Sequence, residues 1–235
     1  CLCVLGVIVS VTEYNEDPHL FNYVLYLKSS YQPCTGTLIA PQWVITAAHC
    51  FLPDLQVIFT GGARNFNFHN LIGEILPYEK IIVHPNFTVT SPKNDLMLIK
   101  LSAPLTFFSN SIFQLPTINI KKNESIVCFI YIWLKDEESS GNPVGNLYSI
   151  KIQTNTDSRC KILLGKRFLE DMFCIGHTKG YRDECQVVTA APATCDGELQ
   201  GIVSWGTGCI LTDHTVVFTN IYSYIPWIKN IISTK

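Results

Sequence analysis

Three stretches of this 235-residue chain carry side chains that could do chemistry together. Thr46-Ala47-Ala48-His49-Cys50 offers an imidazole, Asn94-Asp95-Leu96 a carboxylate at the start of an apolar run, and the segment from Asp183 to Pro192 (DECQVVTAAP) a hydroxyl at Thr189. A carboxylate that orients an imidazole, and an imidazole that removes a proton from a hydroxyl, form an activated nucleophile. A lone histidine or a strand-initial aspartate is more often structural. Together, His49 and Asp95 supply two of the three parts, and the role of Thr189 is the open question.

Such groups need a rigid frame. Short apolar or alternating runs recur in the first half: YVLYLKS (23–29), TLIA (37–40), WVIT (43–46), LQVIF (55–59), KIIVH (80–84) and LMLIKL (96–101). The second half repeats the style with IVCFIYIW (126–133), LYSIKIQ (147–153), LQGIVSW (199–205) and VVFTNI (216–221). Turn-rich segments bound them, which is the pattern of many short strands in a barrel or sandwich. No Gly- or Ser-rich linker separates the halves, so two lobes packed as one unit are expected. Only the end reads as helix, where Ile221, Ile225, Ile228 and Ile232 form one apolar stripe. The polar segment KDEESSGNPVGN (135–146) reads as an exposed loop.

Composition narrows the function classes. With 47% hydrophobic and 15% charged residues the chain folds around a sizeable core. Its 17 basic and 19 acidic residues give a net charge of −2 with no basic run, so nucleic acid is not an expected partner. The apolar start CLCVLGVIVSV (1–11) is too short to span a bilayer and reads as the remnant of a secretory signal, with a buried first strand as the alternative. Cys1 and Cys3 lie in that segment. The other eight cysteines can pair in an oxidising compartment, with connectivity left open by spacing alone. Zinc is the competing reading, but there is no C-x-x-C pair and Cys50 follows His49 without ligand spacing. Two sequons, Asn86-Phe87-Thr88 and Asn123-Glu124-Ser125, agree with secretion and mark Asn86 and Asn123 as candidate glycosylation sites.

The motifs TAAHC, DLMLIKL (95–101), LQGIVSWG (199–206) and IPWIKNII (225–232) make the chain resemble the trypsin/chymotrypsin family of secreted serine proteases over nearly its whole length. The cysteine offsets agree: Cys34 and Cys50 are 16 apart, Cys160 and Cys174 14, Cys185 and Cys209 24. The phrase from Tyr26 to Cys50, with the altered C-terminal segment, is most similar to the trypsin-X type of testis-associated homologues, several of them considered inactive. The resemblance implies an all-β fold of two packed six-stranded antiparallel barrels with a C-terminal α-helix. It places the protease domain at 12–235, with barrels over about 23–115 and 120–220 and the helix over about 221–233. It also implies the pairs Cys34–Cys50, Cys128–Cys195, Cys160–Cys174 and Cys185–Cys209.

In that family His49 is the general base and Asp95 its orienter, while the nucleophilic serine sits in C-x-G-D-S-G-G-P. Here that segment reads Cys185-Gln186-Val187-Val188-Thr189-Ala190-Ala191-Pro192. Thr189 keeps a hydroxyl, but its methyl restricts χ1 where the oxygen must face both base and substrate. The oxyanion would be held by the N–H groups of Val187 and Thr189, and Val187 replaces a glycine whose backbone freedom a β-branched residue lacks. Val188 replaces the aspartate that receives the new N-terminal ammonium on activation. Residues 12–24 offer neither the Ile-Val-Gly-Gly start nor a basic cleavage site, so both halves of that ion pair are expected to be lost together.

In the substrate pocket Asp183 stands where trypsin reads Arg or Lys, although Asp183 and Glu184 can equally be solvated acids. Ser204, Trp205 and Gly206 keep the segment that pairs with a substrate backbone, and Val216 replaces a pocket-wall glycine and should narrow the entrance. Ile132 and Leu134 flank Trp133 where the family has glycines, so repacking is expected there.

The expected function is therefore a secreted pseudoprotease that binds a protein or peptide. A weak or specialised endopeptidase using Thr189, His49 and Asp95 is the alternative, and a receptor ectodomain fragment or purely structural module ranks third. No cofactor, metal or membrane anchor is expected, and a monomer is.

Overall fold

A computed structural model describes residues 22–61, 65–67, 73–105, 112–120, 123–136, 144–175, 189–205 and 215–234; of residues 65–67, 134–136, 144–146 and 205 it describes the backbone alone. The first half of the chain supplies β1 (Val24–Lys28), β2 (Cys34–Ala40), β3 (Trp43–Thr46), β4 (Gln56–Phe59), β5 (Asn65–Asn67), β6 (Glu74–Leu76), β7 (Tyr78–Val83) and β8 (Met97–Leu101). Seven of these pair in the order β6-β4-β1-β2-β3-β8-β7. The two edge strands, β6 and β7, are separated by Pro77 alone. Proline cannot donate to a ladder. One long strand is thus split at Pro77, its halves lying on opposite edges, and this curls the sheet towards closure.

The second half supplies β9 (Val127–Asp136), β10 (Val144–Gln153), helix α1 (Asp157–Leu164), β11 (Met172–Ile175), β12 (Pro192–Cys195), β13 (Glu198–Trp205), β14 (Val216–Asn220) and helix α2 (Ile225–Ser233). Its sheet order is β11-β14-β13-β12-β9-β10-β5, six strands of its own with β5 added at the edge through the Asn67–Val144 pairing. Every ladder between named strands is antiparallel. This is the double β-barrel arrangement that the resemblance implied.

The residues explain the sheets. β1 buries Val24, Leu25, Tyr26 and Leu27 in succession and β8 buries Met97, Leu98 and Ile99, so these strands are covered on both faces. Gly201 in β13 lies so close to Phe173 that a Cβ there would stand 2.5 Å from its ring; glycine lets Phe173 stack on Phe218 with centroids 4.8 Å apart. The first core is not confined to the first half of the chain. Tyr131, Trp133, Ala190 and Ile228 belong to it, and Trp133 meets Tyr26 edge-on at 5.9 Å.

The terminal helix begins as a 3-10 turn, Ile221–Tyr224, capped by Asn220. Ile221 and Ile228 of the expected stripe are fully buried, while Ile225 and Ile232 are partly so. The reading that only the end is helical is corrected by α1. Thr156 caps it by accepting the Arg159 N–H, and Gly165 ends it at φ 58°. Only Cys160 and Leu164 of its residues are buried, a stripe too narrow to register as helical periodicity. The expected loop at 135–146 is also shorter: Lys135 and Asp136 end β9, Val144 pairs with Asp136 to begin β10, and 137–143 fall outside the described residues.

Candidate functional site

His49 is the middle residue of a 3-10 turn, Ala48–Cys50, that closes β3. Cys50 is bonded to Cys34 with S–S 2.05 Å, so the turn is fastened to the start of β2. The next residue along β2, Thr35, links three segments: its carbonyl accepts the Thr46 hydroxyl at 2.8 Å and its N–H donates to the Thr189 carbonyl at 2.9 Å. One disulfide and two hydrogen bonds thereby bring the TAAHC turn and the Thr189 turn to the same strand.

Asp95 approaches from β8. Asn94, at φ 58°, turns the chain just before it, and Asp95 is 3% exposed. Its carboxylate accepts three hydrogen bonds. The His49 backbone N–H reaches Oδ1 at 2.9 Å, His49 Nδ1 lies 2.7 Å from Oδ2, and the Ser204 hydroxyl donates to Oδ2 at 2.6 Å. A buried carboxylate needs this set of donors, and together they fix the imidazole by both its ring and its backbone. In the tautomer in which Nδ1 donates to Asp95, Nε2 is the acceptor nitrogen of the ring. The His49 side chain keeps 28% of its surface in solvent, enough to meet an incoming group.

Beside the backbone part the sequence suggested for it, Ser204 has a side-chain part: its buried hydroxyl on β13 holds the Asp95 carboxylate from the second lobe. Thr219 of β14 adds a hydrogen bond to the Asp95 carbonyl at 3.3 Å. No local pattern marks a contact 109 residues away; only the paired strands reveal it.

The Thr189 side is built differently. Among the described residues the His49 ring bonds to Asp95 and not to the Thr189 hydroxyl. Thr189 and Ala190 form a turn in which Ala190 takes φ 61° while wholly buried. This is backbone that glycine adopts freely and an L-residue adopts at a cost. The turn is held on both sides, by Thr35 N–H on the Thr189 carbonyl and Val203 N–H on the Ala191 carbonyl, each at 2.9 Å. Val216 opens β14, is 4% exposed, and packs in the second-lobe cluster with Ile175, Ala191 and Phe218. Asp183, Val187, Gly206, Cys185 and Cys209 lie outside the described residues, and of Trp205 only the backbone in β13 is described.

Of the implied disulfides, Cys34–Cys50, Cys128–Cys195 and Cys160–Cys174 are formed. Cys34, His49 and Cys50 stand with their ligand atoms within 4.8 Å of one another, a spacing a metal could use, but the two sulfurs are bonded to each other and offer no thiolate.

A double barrel with an Asp–His pair in the seam between its lobes defines a class, and the Trypsin family model matches residues 8–228. The chain belongs to the trypsin family and is a trypsin-like serine protease homologue. It is 38% identical to the Homo sapiens protein "Serine protease 58" and 38% identical to the Bos taurus protein "Probable inactive serine protease 58", in each case over 91% of this chain and 88% of the relative. It is 34% identical to Sus scrofa "Trypsin", over 91% of both. The family match starts at Ile8, inside the apolar 1–11 segment.

Proposed function

We propose that this protein is a secreted pseudoprotease that keeps the protease scaffold and half of its site, and acts by binding a protein or peptide with little or no turnover. The observation that carries the reading is the asymmetry of the site. His49, Asp95 and Ser204 form a complete base assembly, while the Thr189 hydroxyl is not engaged by the base and its turn is closed by an alanine in glycine-type backbone. A missing nucleophile can cost about 10⁶ in turnover, and a lost oxyanion donor about 10² to 10³. Val187 and Val188 in the adjoining segment weaken the oxyanion and activation roles further. Val216 supports a narrowed specificity pocket, with Asp183 left as its acidic residue. The name of the bovine relative, "Probable inactive serine protease 58", points the same way. Three disulfides support folding in an oxidising compartment, and no helix among the described residues is long and apolar enough to cross a membrane.

The intact Asp95–His49 pair favours a second reading, a weak endopeptidase with Thr189 as nucleophile. The purified protein, challenged with fluorophosphonate probes and Arg or Lys ester substrates, separates the two. The pseudoprotease reading predicts neither labelling nor turnover above that of His49→Ala. Labelling that disappears in both Thr189→Ala and His49→Ala would establish the enzyme instead.

A further inference from the structure

On the second lobe, away from His49, the structure holds a groove that the protease site leaves unexplained. Asn123, three residues of α1 (Asp157, Ser158, Lys161) and the segment Phe168–Glu170 line it, with a volume of about 490 Å³. Concave sites of this size hold small ligands when apolar walls are combined with a few polar groups, and this one offers both. Phe168 and Leu169 supply apolar surface, Ser158 a hydroxyl, and Asp157, Glu170 and Lys161 charges of both signs.

One occupant is already tethered beside it. Asn123 begins the sequon Asn123-Glu124-Ser125 and lies exposed on a turn. The rest of the sequon is anchored: the Ser125 hydroxyl donates to the Thr154 carbonyl, and the following N–H of Ile126 donates to Thr154 Oγ1 at 3.0 Å. The turn therefore presents Asn123 from a fixed base. The formed disulfides point to a compartment in which N-linked sugars are added.

We infer that Asn123 carries an N-linked glycan whose first N-acetylglucosamine residues lie in this groove. In the transfer, Asn123 Nδ2 attacks C1 of a lipid-pyrophosphate-linked oligosaccharide. The C1–Nδ2 bond forms, the C1–oxygen bond to pyrophosphate breaks, and the amide gives up one proton as the lipid pyrophosphate leaves. The attached sugars match the groove, with apolar ring faces against Phe168 and Leu169, and hydroxyl and acetamide groups within reach of Asp157, Ser158, Lys161 and Glu170. The glycan is then a structural part of the second lobe, covering the Asp157, Ser158 and Lys161 side of α1, while Cys160–Cys174 fastens the buried side of the helix to β11. This inference is independent of whether the protease site turns over substrate.

The test uses the full chain secreted from mammalian cells behind a signal sequence. Peptide mass spectrometry should find Asn123 modified. Release of that glycan by a peptide-N-glycosidase should be about tenfold slower from native than from reduced, denatured protein, the factor that about 1.4 kcal/mol of protection provides. Asn123→Gln should lower Tm by about 2–4 °C, the shift that about 1 kcal/mol causes in a domain of this size. Ser158→Arg, which leaves the sequon intact and fills the groove with a long side chain, should restore fast release from the native protein. An unmodified Asn123 in the secreted protein overturns the inference, as does native release at the denatured rate in wild type and Ser158→Arg alike.

Discussion

At the scale of single residues, Ala190 and Ala191 are a natural experiment. Both are fully buried alanines, Ala190 in the turn and Ala191 directly after it, and only Ala190 has a positive φ, 61°. Left-handed backbone costs an L-residue about 1–2 kcal/mol. Ala191→Gly should lose about 1–2 kcal/mol, from a buried methyl and from the greater freedom of glycine in the unfolded chain. Ala190→Gly suffers the same losses and recovers the strain, so it should be close to neutral. Denaturant midpoints of the two variants measure the difference directly; equal losses would mean the turn stores no strain. Ser204 makes the complementary case. Its hydroxyl supplies one of three donors to a buried carboxylate, and hydrogen bonds to charged groups contribute about 1.5–3 kcal/mol. Ser204→Ala should destabilise by that amount, read by the same unfolding curves, although Ser204 is no part of the nucleophile.

Among the elements, α1 shows what a linear reading can and cannot see. Its limits are written locally, in the cap Thr156, the first-turn Asp157 and the terminal Gly165, whereas its length of eight residues and its two buried positions leave no periodic signal. Thr156→Ala removes the cap and should cost about 1 kcal/mol. Because Cys160–Cys174 keeps the helix attached, the loss should appear as faster amide exchange confined to residues 157–164. Exchange that rises equally throughout the second lobe would instead tie the cap to global stability. The strands divide in the same way. Those with sustained apolar runs, such as β1, β8, β9 and β13, are legible in the sequence. The four-residue strands β11 and β12, buried at every position, carry no alternation to read, and β12 begins with a proline. His49 and Asp95 were legible because both sit in recognisable motifs. The hold of Ser204 on Asp95, and the support of Thr189 by Thr35, arise from strands paired across the fold and have no counterpart in local spacing.

At the scale of the whole molecule, the lobes are joined by a polar knot as well as by Tyr26 against Trp133. The Tyr224 hydroxyl lies against Asp171 and, at 3.3 Å, against Asn94, the residue that turns the chain into Asp95; His84 packs edge-on against Tyr224 and also against Trp227. Burial holds the His84 imidazole below its ordinary range, partly offset by the Asp171 carboxylate. Burial, with the hydrogen bond and charge of Asp171, raises the Tyr224 hydroxyl far above its usual value, and burial alone pushes Tyr26 up to about 12. The signs follow from which state binds more protons. Unfolded His84 takes up its proton at higher pH than folded His84, so its contribution is complete above about pH 6.5 and is lost as pH falls through the lowered folded value. The folded tyrosines keep their protons longer than the unfolded ones, so theirs is complete below about pH 10 and is lost as pH rises above it. Unfolding free energy measured against pH should therefore decline on the alkaline side, and Tyr224→Phe should flatten that limb while leaving the part due to Tyr26. An alkaline limb unchanged by Tyr224→Phe would show that the knot does not couple the lobes through this proton.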